Sequence, residues 1–124
     1  MILALAGGVG GAKLAHGLAR VLDPSRLLIA VNTGDDFRHL GLHIAPDLDS
    51  VMYKLAGLND ETRGWGMRDE SWQFMDMLAR LGGEDWFNLG DRDLATHVER
   101  TQRLRAGETL TQATAALTRA LGID

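Results

Sequence analysis

The stretch that decides the fold is residues 2–31, ILALAGGVGGAKLAHGLARVLDPSRLLIAV. Ile2 to Ala6 is an uninterrupted apolar run, which predicts a strand buried on both faces. After the glycines that follow, Leu14, Gly17, Leu18, Val21 and Leu22 fall on one helical stripe. Asp23-Pro24 stops that helix, because proline has no amide hydrogen and clashes with the preceding turn. Leu27 to Val31 predicts a second buried strand. Strand, glycine loop, helix and strand in about thirty residues form a βαβ unit, whose strands are parallel and whose crossover is right-handed. The fold class is therefore α/β with a parallel sheet.

Ligands of such sheets bind beyond the carboxyl ends of the strands. Two polar stretches lie there, GGVGG (Gly7 to Gly11) and NTGDD (Asn32 to Asp36). The first matches neither common phosphate fingerprint. In G-x-G-x-x-G the third glycine, counted from Gly8 and Gly10, would fall on Lys13. In G-x-x-x-x-G-K-[ST] the lysine needs a preceding glycine and a following hydroxyl, and Lys13 has Ala12 and Leu14. The chemistry nevertheless fits an anion. Two Gly-Gly pairs let the backbone come close, and the helix N-terminus adds partial positive charge. Lys13 sits near the start of the helix, a poor place for a cation unless an anion is near. A ligand-free turn accounts for the same glycines less well.

Beyond residue 31, Leu40, Leu42 and Ile44 alternate with His39, Gly41 and His43, a weak extended pattern. PDLDSVMYKLAGL predicts a helix with Leu48, Val51, Met52 and Leu55 on its buried stripe and Gly57 as its stop. Ser71 is placed to cap a helix burying Phe74, Met75, Leu78 and Leu81, which ends at Gly82-Gly83. A long helix runs to about Arg105, and Thr111 opens another that closes at Gly122. The second half is thus helical, with no repeat, linker or internal boundary across residues 1–124. Ile123-Asp124 reads as the approach to a further strand, so the sequence is expected to be the front part of a longer protein.

The bulk numbers bound the function. With 124 residues, 45% of them hydrophobic, the chain makes one domain with a core but not two. A net charge of −4 argues against a nucleic-acid backbone binder. Zero cysteines exclude disulfides and thiolate chemistry and fit a reducing cytoplasm. The opening apolar run is too short for a membrane span or a signal, so no membrane partner is expected. Lys13 and Lys54 are the only lysines beside eleven arginines. Codon bias explains such a skew, and so does bidentate recognition of anions.

Four further features admit two readings each. NTGDD places Asp35 about where a ribose-gripping acid falls after a glycine loop, but it is also a sequence that builds a solvated turn. PDLD supplies two carboxylates at a helix entry, either as dipole partners or as magnesium ligands. Asp47 and Asp49 stand about 200° apart on a helix and share no face if both are helical. GDRD at 90–93 is either a helix cap with a solvated ion pair or a setting for Arg92 as a forked donor. Trp65 in RGWG is a lid on the core or a stacking surface. His39 and His43 are poor zinc ligands, since Gly41 and the alternating pattern oppose a helix, while His16 and His97 read as surface or satisfied core residues.

Taken in order, AGGVGGAKL, NTGDD, GLHIAPDLDSVMYKLAG, RGWG and WFNLGDRDLATHVERTQRLRAGETL resemble the N-terminal part of the 2-phospho-L-lactate transferase family of coenzyme F420 biosynthesis. GGVGG and RGWG point to its bacterial members, which include phosphoenolpyruvate transferases. The resemblance implies a Rossmann-like three-layer α/β/α enzyme, usually homodimeric. It implies transfer of a phospho-acid group (2-phospholactate, phosphoenolpyruvate or 3-phosphoglycerate) from a guanosine diphosphate-linked donor to the deazaflavin Fo, with GMP released. By the same resemblance Gly7, Gly8, Gly10 and Gly11, with Lys13 nearby, face the donor diphosphate, and Asn32 and Thr33 line the same mouth. Asp49 and Arg92 would bind Fo, and Asp47 would hold Mg²⁺ or orient the attacking hydroxyl. Family members are much longer, so much of the guanine site is expected outside these residues. The competing reading is a nucleotide-sugar sensor of the same fold without a deazaflavin site. An NAD-dependent dehydrogenase is disfavoured by the missing third glycine.

Overall fold

The computed structural model describes residues 1–123. Strand β1 (Ile2–Ala6) pairs in parallel with β2 (Leu27–Val31), in a register running from Ile2 opposite Leu27 to Ala6 opposite Val31. Helix α1 (Gly8–Val21) makes the crossover, and a single 3₁₀ turn at Pro24–Arg26, capped by the Asp23 carboxylate, feeds β2. A tight hairpin of β3 (Phe37–His39) and β4 (Leu42–Ile44) forms a separate antiparallel pair. Its turn places Leu40 at φ 55° and Gly41 at φ 75°, the left-handed pair that a two-residue hairpin requires. Four helices complete the described chain: α2 (Pro46–Ala56), α3 (Gln73–Arg80), α4 (Asp91–Arg105) and α5 (Leu110–Ala120). The α/β class with a parallel sheet and a helical second half is what the sequence predicts.

The packing departs from the predicted detail in an instructive way. Only one face of the parallel pair is covered, by α1 and α2, where Ala6, Ala12, Ala15 and Val51 pack with Ile29, Val31 and Leu55. The opposite face is open, with Leu3 56%, Leu5 75% and Leu28 57% exposed. Burial of both strands on both faces therefore does not occur among the described residues. Helix α1 also buries a different stripe from the one its large side chains mark. Ala12 and Ala15 are buried, while Leu14 and Val21 are exposed. The cause is proximity, since a Cβ on Gly11 would lie 2.9 Å from the Ala6 Cα. A helix this close to its strand has room only for small residues.

Capping in the helical half is tertiary rather than local. Ser71 does not cap α3; the Asp91 carboxylate reaches across from α4 and accepts from the amides of Gln73 (3.1 Å) and Phe74 (2.9 Å) and from the Ser71 hydroxyl (2.7 Å). Glu70 returns the arrangement, accepting from the α4 amides of Arg92 (2.8 Å) and Asp93 (3.1 Å). Each of the two helix starts thus lends a carboxylate to the other's unpaired amides. Helix α3 stops at Arg80, leaving Leu81 73% exposed instead of buried. Helix α5 opens at Thr109, not Thr111, through a capping box with Gln112. No helix among the described residues is long and apolar enough to cross a membrane.

Candidate functional site

Two adjoining cavities flank Trp65, and α2 supplies a wall to both. The first, about 380 Å³, lies between α2, α4 and the loops around Trp65 and Trp86. Its rings come from Tyr53, Trp65, Trp86 and Phe87, and its acids from Asp49 and Asp93. The second, about 430 Å³, runs between α1 and α2 under the loop of residues 59–66. Ser50, Tyr53, Trp65 and Gly66 line both. Trp65 is 44% exposed, packs edge-on to Trp72 at 5.8 Å, and carries the Arg63 guanidinium over its ring at 4.4 Å. It is a braced partition between two spaces.

The floor of the first cavity is a buried polar group that α2 and α4 build together. Arg100, fully buried, holds the Asp49 Oδ1 and donates to the His43 carbonyl at 3.2 Å. His97 Nε2 lies 3.1 Å from Asp93 Oδ2, and its Nδ1 lies 3.7 Å from Asp49 Oδ2. The Tyr53 hydroxyl donates to the other oxygen of Asp93. Burial raises the Asp49 carboxyl above the ordinary carboxylate range, against the pull of Arg100 and His97. Burial pushes Asp93 the same way but loses to the hydrogen bonds from His97 and Tyr53, and its carboxyl lies below the ordinary range. Burial and the two carboxylates raise the Tyr53 phenol, which stays protonated as a donor. Among the described residues the buried Asp49 Oδ2 has no hydrogen-bond partner. An unmet acceptor of this kind is costly, and a donor on a ligand would relieve the cost.

Asp49, Asp93 and His97 offer ligand atoms within 4.8 Å of one another. Arg100 and Tyr53 already occupy one oxygen of each acid, so an internal ion pair closes this group. Asp47 has different surroundings. Both acids are helical, since α2 begins at Pro46, and they diverge as their spacing requires. Asp47 Oδ2 accepts from the Asn32 amide at 2.9 Å. Its two oxygens lie 3.6 and 3.7 Å from where Cβ atoms would stand on Gly7 and Gly8.

The glycine loop divides its labour. Gly7 occupies the N-cap with no side-chain cap on the helix, and Gly8 takes φ 62°, which a side chain would strain. The first amides of α1 thus lack intrahelical partners. Gly11, by contrast, donates its amide to the Gly7 carbonyl at 3.3 Å and presses on Ala6. Asn32 links the loop to β2 and folds its own turn by accepting from the Gly34 amide at 3.0 Å. Thr33 is exposed beside it. Lys13 lines the second cavity. Arg92 lines neither cavity; its guanidinium donates to the Arg68 carbonyl at 3.1 Å, on the chain leading out of the Trp65 loop. His43 pairs with Asp36 at 3.2 Å, and His39 packs edge-on to Trp86 at 4.9 Å. Among these, sequence reasoning passed over His97, Asp93 and Arg100 as parts of one site. Their i, i+4 and i+7 spacing on α4 carries the signal.

The profile of the family described as 2-phospho-L-lactate transferase CofD matches residues 2–124. Relatives include the phosphoenolpyruvate transferase of Mycobacterium ulcerans, 53% identical over 125 residues, covering 91% of this chain and 38% of that protein. The phosphoenolpyruvate transferase of Streptomyces avermitilis is 49% identical over 117 residues, covering 94% and 37%. That of Mycobacterium tuberculosis is 48% identical over 130 residues, covering 94% and 39%. The chain thus spans between 37% and 39% of the length of these relatives.

Proposed function

Because the chain belongs to the 2-phospho-L-lactate transferase CofD family, we propose that the whole protein transfers a phospho-acid group from a guanosine diphosphate-linked donor to the deazaflavin Fo. Phosphoenolpyruvate is the favoured acid, a reading supported by the name its relatives carry. In the proposed step a hydroxyl on the Fo side chain attacks the distal phosphorus of the donor. A new oxygen–phosphorus bond forms, the bond to the GMP phosphate breaks, and the hydroxyl proton passes to a carboxylate.

The observation that carries this reading is the first cavity. Aromatic rings on several sides and one unmet buried carboxylate oxygen suit a flat heterocycle that brings a hydroxyl donor. Asp49 is the proton acceptor in this scheme, and a carboxyl raised by burial is better matched to that task than an ordinary one. Arg100 and His97 hold it in place. The uncapped amides at Gly8 to Gly10 receive the donor diphosphate, with Asn32 and Thr33 at the rim. Arg92 acts on the cavity through the Arg68 carbonyl, as a positioning residue.

A carboxylate beside an anion-binding loop needs a cation. Asp47 stands there with oxygen donors only, which suits Mg²⁺, an ion that takes one or two protein acids and completes its shell with water and phosphate oxygens. When bound, Mg²⁺ would offset the charge of the diphosphate.

The test is a fluorescence titration of the full-length protein with Fo. Saturable binding, lost in Asp49→Ala while the circular dichroism spectrum is kept, is the expected result. No saturable binding to the wild type would leave the nucleotide-sensing reading in its place.

A further inference from the structure

The chain has two lysines, and both line the second cavity. Lys13 projects from α1 and Lys54 from the last turn of α2, where its side chain is only 19% exposed. What faces them is the loop between α2 and α3, and that loop is held stiff. The Asp60 side chain accepts from the Arg63 amide at 2.8 Å, and Arg63 donates to the carbonyls of Trp65 (3.2 Å) and Met67 (3.0 Å). Asn59 bridges to Met67. The braced loop carries Glu61 to the cavity rim, where its carboxylate meets Lys54 Nζ at 2.9 Å while its side chain stays 75% exposed. Hydrogen bonding and charge from Lys54, then charge from Lys13 and His16, hold the Glu61 carboxyl below its ordinary range. Three cationic or titratable groups therefore converge on one exposed carboxylate.

The other acid of the lining, Asp60, is paired with Arg63 at 3.3 Å and does not compete for the lysines. Removing Glu61 would leave two ammonium groups facing the cavity, the charge of a phosphoryl dianion. An exposed Lys–Glu pair is weak enough for such a ligand to displace. Ammonium groups are moreover effective phosphate binders as point charges.

We propose that the cavity between α1 and α2 is a phosphoryl-binding subsite, and that Glu61 sits in it as an internal stand-in which the ligand displaces. It rests on the second cavity and not on the deazaflavin reading, so either can fail without the other. Trp65, on the wall of this cavity, makes occupancy visible as a change in intrinsic fluorescence.

The experiment titrates the full-length protein with inorganic pyrophosphate and with inorganic phosphate, following tryptophan fluorescence. Glu61→Gln is expected to bind the anions about two- to fivefold more tightly, the worth of one exposed ion pair. Lys54→Met and Lys13→Met are each expected to weaken binding roughly tenfold, the loss of one charged hydrogen bond. Phosphate binding as steeply as pyrophosphate assigns the subsite to a single phosphoryl group, and a clear preference for pyrophosphate extends it to a diphosphate. Unchanged or weaker affinity in Glu61→Gln overturns the stand-in. Unchanged affinity in both lysine variants overturns the subsite, even where Fo binding is intact.

Discussion

Gly11 and Gly17 lie on the same helix, and alanine at the two positions should act in opposite directions. At Gly17 a new Cβ meets nothing within 4 Å. The only effect there is the gain in helix propensity, about 1 kcal/mol. At Gly11 the same gain is opposed by contact with Ala6, at 2.9 Å to its Cα and 3.0 Å to its carbonyl carbon and Cβ. Neither partner yields easily. Ala6 is fixed in register against Val31, and α1 is held by Ala12 and Ala15, which are 3% and 0% exposed. Forcing a methyl group into such packing costs about 1–3 kcal/mol. The propensity gain is common to both variants and cancels in their difference, so the difference between Gly17→Ala and Gly11→Ala is the steric cost itself. With a urea slope of about 2 kcal/mol/M, the midpoints should stand about 0.5–1.5 M apart, Gly17→Ala above wild type. Coincident midpoints would refute the close approach of α1 to β1. They would return Gly11 to the loop as a residue kept for its ligand.

Two further perturbations act on the floor of the first cavity. Arg100→Met strands the Asp49 carboxylate in the interior and should cost about 3–5 kcal/mol, whereas the double variant with Asp49→Asn should lose distinctly less; equal losses in urea denaturation would show that the pair is not coupled. Acid should separate the two acids: the Asp93 carboxyl is depressed in the fold, so its stabilisation is present above the ordinary value of 3.8 and fades as pH falls through the native value. The Asp49 carboxyl is raised, so its protonation favours the fold and its contribution has the reverse sign. The deficit of Asp93→Asn against wild type should therefore shrink between pH 7 and pH 3 while that of Asp49→Asn grows, as denaturation at the two pH values would measure.

The parts of this molecule legible in the sequence are those set by the backbone. Pro24, Gly57 and the run from Gly7 to Gly11 end or begin elements through their own dihedral limits, and those boundaries stand. The βαβ unit followed from them. The burial pattern was harder to read. Ile2 to Ala6 is apolar throughout, yet what covers a strand depends on elements distant in sequence, and among the described residues only one face is covered. Capping was hidden for the same reason. Ser71 has the right chemistry one residue from the right place, but Asp91, twenty residues on, makes the bonds.

The floor of the first cavity was the least legible part, because its pattern imitates a solvated surface. Helix α4 buries Thr96, His97, Arg100 and Thr101, with Asp93 partly covered one turn earlier. Polar residues at helical spacing ordinarily mark the face turned to water, so reading by hydrophobic period assigns this stripe to the outside. What turns it inward is complementarity with α2. Pro46 starts that helix early enough for Asp49 to be helical and to face the core, leaving Asp47 on the side of Asn32 and the glycine loop. A buried carboxylate then needs a buried cation, and Arg100 supplies it from α4. Two acids two residues apart are thereby sent to different tasks. Asp47 joins the anion loop at the mouth of the parallel strands, and Asp49 joins Arg100, His97, Asp93 and Tyr53 beneath the aromatic cavity. The sequence PDLD contains both assignments, but only the starting residue of the helix decides which carboxylate faces which partner.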